Sequence, residues 1–193
     1  MHTEPRIVAL AGCAAQPWRN GGGTTRELLA GPDAAAWQWR LSVADIAADG
    51  PFSAYPGVAR WFAVIEGEGV TLALPAGPRT LRPGDAPLAF DGTDAPDCRL
   101  LAGPTRDLNL MLRGVGGRME KAAAGTAWRP AAHGAGLYAR VAGTLHADEA
   151  RWALPAASLA WFDAAPAALH FVPADDARHV GWWVAAGDAG RER

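Results

Sequence analysis

Apolar and polar residues alternate along most of this chain, and that period of two constrains the fold more than any other feature. The pattern is clearest at 37–43, where Trp37, Trp39, Leu41 and Val43 fall on one face. Such alternation predicts half-buried β-strands. Similar runs predict further strands at 7–10, 60–66, 70–74, 86–90, 107–113, 137–141, 158–162, 169–172 and 180–185.

Turn signals separate these predicted strands at short intervals. They are Asp49-Gly50-Pro51, Tyr55-Pro56-Gly57, Glu66-Gly67-Glu68-Gly69, Arg82-Pro83-Gly84-Asp85 and Asp91-Gly92. Helix is expected to be scarce, because Gly125 and Pro166 interrupt the two alanine-rich segments. Many short strands with even punctuation predict an all-β barrel or sandwich.

The glycine-rich segment at 114–117 lies near the midpoint of the 193 residues. No low-complexity linker divides the chain there, so two independent domains are disfavoured. We predict a single domain over 1–193 with two lobes, the first at about 1–115 and the second at about 116–193. The two lobes are expected to share one core.

Charge and apolar run length exclude several classes of partner. The chain carries 18 basic and 20 acidic residues, a formal net charge of -2, with no basic stripe for nucleic acid. No apolar run approaches the roughly 20 residues that span a bilayer. Leu10-Ala11-Gly12-Cys13 resembles a lipoprotein cleavage box, but the apolar stretch before it is too short. We therefore expect a cytoplasmic protein with two reduced, buried thiols, Cys13 and Cys98.

One hairpin and one turn of the first half resemble those of a cupin barrel. The hairpin is Val64-Ile65-Glu66-Gly67-Glu68-Gly69, and the turn is Leu81-Arg82-Pro83-Gly84-Asp85. Metal cupins carry a His-x-His pair and a Glu just before that hairpin, but the segment 52–61 has no histidine, and Arg60 stands near the place of the Glu. No metal and no other cofactor is therefore expected.

Three blocks of sequence resemble the HutD/Ves family. The first runs from Pro17 to Glu27 and includes Trp18-Arg19-Asn20-Gly21-Gly22-Gly23, where the family usually has Lys in place of Arg19. The second covers Trp39-Arg40-Leu41-Ser42-Val43-Ala44, Asp49-Gly50-Pro51-Phe52-Ser53 and Pro56-Gly57-Val58-Ala59-Arg60. The third is Asp107-Leu108-Asn109-Leu110-Met111. The only two asparagines of the chain, Asn20 and Asn109, fall inside these blocks.

This resemblance implies a two-lobed cupin-like protein, a bicupin, without a metal and linked to bacterial histidine utilisation. It implies a regulatory, metabolite-sensing role with a small carboxylate ligand, for which N-formylglutamate is the candidate. No catalytic residue is assigned, because nothing forms a nucleophile motif. The alternative is a small-molecule enzyme of the cupin class: a hydrolase, an isomerase or a metal-dependent dioxygenase. A homodimer stays open.

Ten residues are predicted to bind the ligand. Arg60 and Arg26 would clamp its carboxylate, with Asp107 beside them as a partner for a buried arginine. Hydrogen-bonding side chains would orient it, namely Asn20, Thr24, Ser53 and Asn109, and apolar ones would contact it, namely Trp18, Phe52 and Met111. The triglycine at 21–23 is either a backbone nest for a carboxylate or simply a tight loop.

The alternation at 107–113 predicts a strand but does not show which environment its polar face meets. One face of this strand carries Leu108, Leu110 and Leu112. The other face therefore carries Asp107, Asn109 and Met111. That polar face is either solvated or the lumen of the barrel, and the methionine among polar neighbours favours the lumen. Arg60 has the same two alternatives, solvated on its strand or turned inward.

Overall fold

The computed structural model describes residues 4–188. These residues form strands and two short 3-10 turns, Leu10–Gly12 and Gly92–Asp94. The strands are β1 (Arg6–Ala9), β2 (Gln16–Pro17), β3 (Gly23–Gly31), β4 (Trp39–Ile46), β5 (Gly50–Pro51), β6 (Val58–Glu66), β7 (Val70–Leu74), β8 (Gly77–Leu81), β9 (Leu88–Asp91), β10 (Asp97–Leu100), β11 (Thr105–Arg113), β12 (Gly117–Ala123), β13 (Ala132–Ala139), β14 (Gly143–Ala147), β15 (Ala150–Leu154), β16 (Ser158–Phe162), β17 (His170–Pro173) and β18 (His179–Asp188). The predicted all-β class is confirmed.

The chain divides into two compact units. One is formed by residues 13–114, and the other combines residues 4–12 with residues 115–188. Within the second unit, β1 pairs antiparallel with β16, so that Arg6 lies opposite Trp161. The first strand therefore belongs with the second half of the chain, and placing it in the first lobe was wrong. Its edge pairing is a long-range contact that no local pattern reports. That the units share one core stays a prediction.

The unit of residues 13–114 consists of two sheets around one apolar core. Its six-stranded sheet has the order β2-β3-β4-β11-β6-β9, and its four-stranded sheet has the order β5-β10-β7-β8. Side chains from both sheets fill the core, including Phe62 and Val64 from the larger sheet and Val70, Leu72 and Cys98 from the smaller. This arrangement is a sandwich closed toward a barrel.

Strand β11 lies inside the larger sheet and carries the predicted alternation. It pairs antiparallel with β4 and with β6, so that Asn109 is opposite Ser42 on one side and Phe62 on the other. Leu108 and Leu110 are fully buried on one face. Asp107 and Asn109 are buried too, on the face that carries Phe62. The polar face of β11 is therefore interior, which confirms the lumen rather than the solvated alternative.

The other unit is filled by its own side chains. Its five-stranded sheet has the order β1-β16-β13-β18-β12, and its three-stranded sheet has the order β15-β14-β17. The core between them includes Trp128 and Trp183, whose rings stack with centroids 5.1 Å apart and an interplanar angle of 5°. Trp152 and Phe162 add an edge contact at 5.4 Å. Aromatic rings thus occupy the interior of this unit.

The triglycine ends in a strand, which the sequence analysis did not predict. Gly23 begins β3, and a Cβ atom there would lie 2.3 Å from the carbonyl oxygen of Asp45 and 3.1 Å from the ring of Trp18. Before it, the amide of Gly21 donates to the carbonyl of Trp18 at 3.0 Å. The glycine at position 23 is therefore required by the close approach of β3 to β4.

Two further predictions concern membrane-spanning segments and the burial of the two cysteines. Within the described residues there is no helix long and apolar enough to cross a membrane. Cys98 is buried as expected, but Cys13 is only half-buried, because it lies in the segment that follows the first 3-10 turn. The cytoplasmic location stays a prediction.

We expect Gly23→Ala to destabilise the protein by about 1–3 kcal/mol, because the new methyl group cannot fit between two backbones. The free energy of unfolding, measured by urea denaturation, is the test. Gly12→Ala is the matched control, since a Cβ there meets no atom within 4 Å, and it should change stability by less than about 0.5 kcal/mol. Equal losses in both variants would show that the close approach does not matter.

Candidate functional site

A cavity of about 690 Å³ lies within the unit of residues 13–114. The polar face of β11 forms part of its wall, together with β2, β4, β6 and the segment that follows β5. Its size suits a small metabolite, since ligand sites commonly measure about 300–1,000 Å³. Apolar rings and a few convergent polar groups line it, which is the usual composition of such sites.

The structure brings eight of the ten predicted ligand-binding residues to this cavity. They are Trp18, Asn20, Phe52, Ser53, Arg60, Asp107, Asn109 and Met111. Nine further residues line it that the sequence analysis did not assign to the site: Gln16, Pro17, Arg19, Thr25, Arg40, Ser42, Ala44, Pro51 and Tyr55. Thr24 and Arg26 are not among the lining residues.

Arg60 is the buried cation of the cavity, with only 7% of its surface exposed. Its Nη2 donates to Oδ1 of Asn109 at 2.8 Å. Its guanidinium carbon lies 5.1 Å from the ring centres of Phe52 and Phe90 and 5.8 Å from that of Tyr55. These cation–π contacts replace part of the hydration that the cation loses. Nε of Arg60 finds no hydrogen-bond partner among residues 4–188.

Asp107 lies one step further along the same polar chain. Nδ2 of Asn109 donates to Oδ2 of Asp107, so the amide of Asn109 connects the arginine to the carboxyl group. Asp107 is 1% exposed, and its Oδ1 has no hydrogen-bond partner within the described part of the chain. Two buried polar atoms, Nε of Arg60 and Oδ1 of Asp107, are therefore unpartnered at this cavity. Such atoms are costly in a native protein and point to a function.

Burial acts on the ionisation of both groups. It raises the pKa of Asp107 well above the ordinary value, and the charge of Asp45 adds to the rise, while the charge of Arg60 opposes it. Burial also lowers the pKa of Arg60, against the opposing charges of Asp107 and Tyr55. Arginine nevertheless keeps its proton in proteins. The cavity therefore contains a fixed cation beside a carboxyl group that tends to be neutral.

Aromatic side chains form the apolar wall. The rings of Trp18 and Phe52 meet edge to face with centroids 6.4 Å apart, and those of Phe52 and Phe62 lie 5.8 Å apart. Nε1 of Trp18 donates to Oγ1 of Thr25 at 2.7 Å, which fixes the indole against β3. Phe52 thus contacts the guanidinium of Arg60 on one side and the indole of Trp18 on the other.

Arg26 and Thr24 take part in a different cluster. Their position therefore supports neither the predicted clamping by Arg26 nor the predicted hydrogen bond from Thr24 to the ligand. Nη1 of Arg26 is 2.5 Å from Oδ2 of Asp45, and Oγ1 of Thr24 is 3.5 Å from the same oxygen. Asp45 also binds Nε of Arg106 at 2.6 Å. Partial burial alone would raise the pKa of Asp45, but the hydrogen bonds and charges of Arg106 and Arg26 lower it below its ordinary value.

The alternation of side chains along a strand explains why Thr24 and Arg26 were wrongly assigned to the site. It also explains why two of the lining residues were missed. Because β3 is a strand, Thr25 faces the cavity, and its neighbours Thr24 and Arg26 face the opposite way. The same reasoning at 37–43 leaves Arg40 and Ser42 on the polar face, and both line the cavity. Applied to each strand in turn, the alternation would have found them.

Arg40 is held by an ion pair at the cavity. Its Nε is 2.7 Å from Oε2 of Glu27, and both side chains are partly buried. Arg19 is an exposed residue of the lining. Three arginines therefore line this cavity, against two carboxylates, Asp107 in the lining and Glu27 in its ion pair with Arg40.

The amides of Gly21 and Gly22 form hydrogen bonds within the triglycine loop. The amide of Gly22 donates to Oδ1 of Asn20 at 3.0 Å, so the loop uses this donor itself. Within residues 4–188, no three or more His, Cys, Asp or Glu side chains group in a way that could hold a metal ion.

The fold and the cavity define a cupin-like protein. Oxalate decarboxylase of Bacillus subtilis is similar in fold, with a TM-score of 0.65 and 10% identity over 97% of this chain and 78% of that one. A conserved protein of unknown function from Pseudomonas aeruginosa PAO1 is more similar, with a TM-score of 0.82 and 26% identity, covering 97% of this chain and 100% of that one.

The chain belongs to the HutD family, whose model matches residues 11–178. HutD of Pseudomonas fluorescens SBW25 has the same fold, with a TM-score of 0.82 and 24% identity over 96% of this chain and 100% of that one. Two curated relatives are a 21.2 kDa protein of the hutC 3′ region of Pseudomonas putida, 43% identical over 98 residues, and protein Ves of Citrobacter koseri, 40% identical over 99 residues. These matches cover 49% and 50% of this chain, and the chain spans about half the length of each relative, 51% in both.

We expect Asp107→Asn to stabilise the protein, and to do so more as the pH rises. The unfolded carboxyl group ionises near pH 4, whereas burial keeps the folded one neutral to higher pH. Ionisation therefore favours the unfolded wild-type chain from about pH 4 up to the pKa of folded Asp107, and the amide removes this penalty. Urea denaturation of both proteins over this range is the measurement.

Asp97→Asn makes the same chemical change at an exposed position of β10 and serves as the control. Its effect on the free energy of unfolding should stay nearly constant with pH. If the advantage of Asp107→Asn shrank on raising the pH, Asp107 would be stabilised in the fold as an anion, contrary to this account.

Proposed function

We propose that this protein binds a small carboxylate metabolite in the cavity of residues 13–114 and acts as a sensor that regulates metabolic flux. The ligand class is an intermediate of histidine breakdown, with N-formylglutamate as the candidate. Binding needs no metal in this proposal. The observation that carries it is the buried guanidinium of Arg60, whose Nε is unpartnered at a cavity of metabolite size.

The charge of Arg60 favours an anionic ligand. A buried cation without a hydrogen-bonded anion is costly, and the structure has no side-chain carboxylate within 4 Å of this guanidinium among the described residues. A carboxylate is the complement of a guanidinium, since both are planar and their hydrogen bonds are charge-assisted. Phe52, Tyr55 and Phe90 exclude water around this cation and strengthen its attraction for an anion.

The rest of the lining supports a ligand with more than one polar group. Arg40 and the exposed Arg19 add positive charge for a second carboxylate, and Ser42, Ser53 and Asn20 add hydrogen-bonding groups. Trp18 and Met111 supply apolar contact for a short carbon chain. N-formylglutamate has two carboxylates, a formamide and such a chain, so its chemistry matches this set.

The link to histidine breakdown rests on family membership and on names. The Pseudomonas putida relative is named for the hutC 3′ region, and HutD names both the family and the Pseudomonas fluorescens structure. The chain spans about half the length of the curated relatives. A role in histidine breakdown is therefore a proposal for this chain.

The test is a thermal denaturation series with histidine, urocanate, formiminoglutamate, N-formylglutamate and glutamate, each in large excess. A ligand at ~100 times its Kd stabilises by ~2.7 kcal/mol, which raises the Tm of a chain of this size by roughly 5–10 °C. We expect this rise with N-formylglutamate and not with glutamate, which lacks the formyl group. No rise with any of the five compounds would contradict the proposal.

Arg60→Met tests the role of the arginine, because methionine keeps much of the volume among the three rings and removes the charge. We expect this variant to fold and to lose the rise in Tm. The matched control is Arg113→Met, which removes an exposed arginine that stacks on Trp37 at 4.2 Å, outside the cavity lining. Release of formate from N-formylglutamate by the wild-type protein would show that the protein is a hydrolase and would contradict the proposed sensor function.

A further inference from the structure

We infer that Asp107 is present as the neutral carboxylic acid and donates its Oδ1–H to a ligand carboxylate that lies against Arg60. The site therefore selects an anion together with a proton. This inference rests on the proposed function and adds the residue that sets its chemical specificity. It departs from the simpler expectation that Asp107 is the anionic partner of Arg60.

The hydrogen-bond geometry of Asp107 argues for the acid form. Oδ2 accepts from Nδ2 of Asn109, which is the hydrogen bond expected of the carbonyl-type oxygen. Oδ1 is buried and has no donor among the described residues, although an ionised carboxylate needs donors at both oxygens. Only the protonated form turns this unpartnered atom, on a residue that lines the cavity, into a hydrogen-bond donor.

The spacing of the charged groups also indicates that Asp107 is protonated. Arg60 and Asp107 form no ion pair within 4 Å in residues 4–188, because the amide of Asn109 lies between them and bonds to both. Opposite charges that were both buried would gain most from direct contact. With Asp107 neutral, the positive charge of Arg60 is left for the ligand. With Asp107 ionised, the two charges would cancel and an incoming anion would be repelled by the carboxylate.

The groups around Asp107 must be considered in any pH experiment. Those on the neighbouring strands and loop are Arg60 on β6, Arg40 and Asp45 on β4, Cys98 on β10, Tyr55 after β5 and Arg106 on β11 itself. Burial raises the pKa of Cys98 to about 12, so this thiol does not titrate near neutral pH. Asp45 is held ionised by its two arginines. Any contribution from the remaining groups persists in Asp107→Asn, which isolates the carboxyl group.

A bound carboxylate would stabilise the acid form of Asp107 further. The ligand is an anion beside the carboxyl group, and it accepts the hydrogen bond that only the acid can donate. No covalent bond is made or broken in this step. When the carboxyl group is ionised before binding, one proton is taken up from solvent with each ligand. When it is already protonated, none is taken up.

The test is isothermal titration of the wild-type protein with N-formylglutamate between pH 5 and pH 9, in buffers of different ionisation enthalpy. The ligand carboxylates stay ionised over this range. We expect a Kd that never falls as the pH rises, and that rises tenfold per pH unit, with uptake of up to one proton per ligand, wherever Asp107 of the free protein is ionised. A Kd that falls as the pH rises, or a constant Kd while Asp107 of the free protein is ionised, would overturn the role of Asp107.

Asp107→Asn separates this role from a merely structural one. Its amide can donate Nδ2–H toward the ligand while its oxygen accepts from Asn109, without any proton to lose. We expect binding by this variant to be independent of pH and to exceed that of the wild type at any pH where Asp107 of the wild type is ionised. Asp107→Ala keeps neither group and should bind weakly at every pH. Asp97→Asn should retain the wild-type pH profile, because this residue lies on the exposed side of β10.

A ligand-free measurement distinguishes the two possible failures. Carbon NMR of the Asp107 carboxyl group, assigned by its absence in Asp107→Asn, reports directly whether the free protein holds the proton at pH 6. An ionised carboxylate there, together with pH-independent binding, overturns the inference and leaves the proposed function standing. If the wild-type protein binds no carboxylate at any pH, the proposed function fails, and the donor role of Asp107 fails with it.

Discussion

The burial of the Arg60 guanidinium is the interaction on which the arrangement of this site depends. A cation removed from water needs compensation from every side, and here three aromatic rings and one amide oxygen provide it. This requirement explains why Phe52 and Tyr55, from the loop after β5, and Phe90, from β9, converge on one strand position. It also explains why Asn109 is an amide, since one end accepts from the arginine while the other donates to a carboxyl group.

Strand β11 connects this polar site to the stability of the unit. Its leucines are fully buried on one face, and its polar residues are buried on the other, so the strand is enclosed on both sides. Two-sided burial usually gives a continuous apolar run. The alternation survives here because the second interior contains a cavity with its own hydrogen-bonding demands.

The sequence predicted the fold class, most of the strands and eight of the lining residues, because alternation reports which face a side chain occupies. It failed where the signal is not local. The start of β3 was missed because it lies in the triglycine. Glycine is needed at position 23 because the carbonyl oxygen of Asp45, on another strand, leaves no room for a Cβ atom. Tyr55 reaches Arg60 from a turn that has no period. Arg26 was misplaced because its partner Asp45 could not be identified without the register of β3 and β4.

The pairing of β1 with β16 has a consequence for how the chain is made. The residues joined across this sheet edge are far apart in sequence, and 157 positions separate Arg6 from its ion-pair partner Asp163. At about 5–20 residues per second, the ribosome needs roughly 8–30 s to deliver the partner strand. During that interval residues 13–114 emerge as a continuous stretch and can fold first. The first strand must therefore wait for the last third of the chain before it can pair with β16.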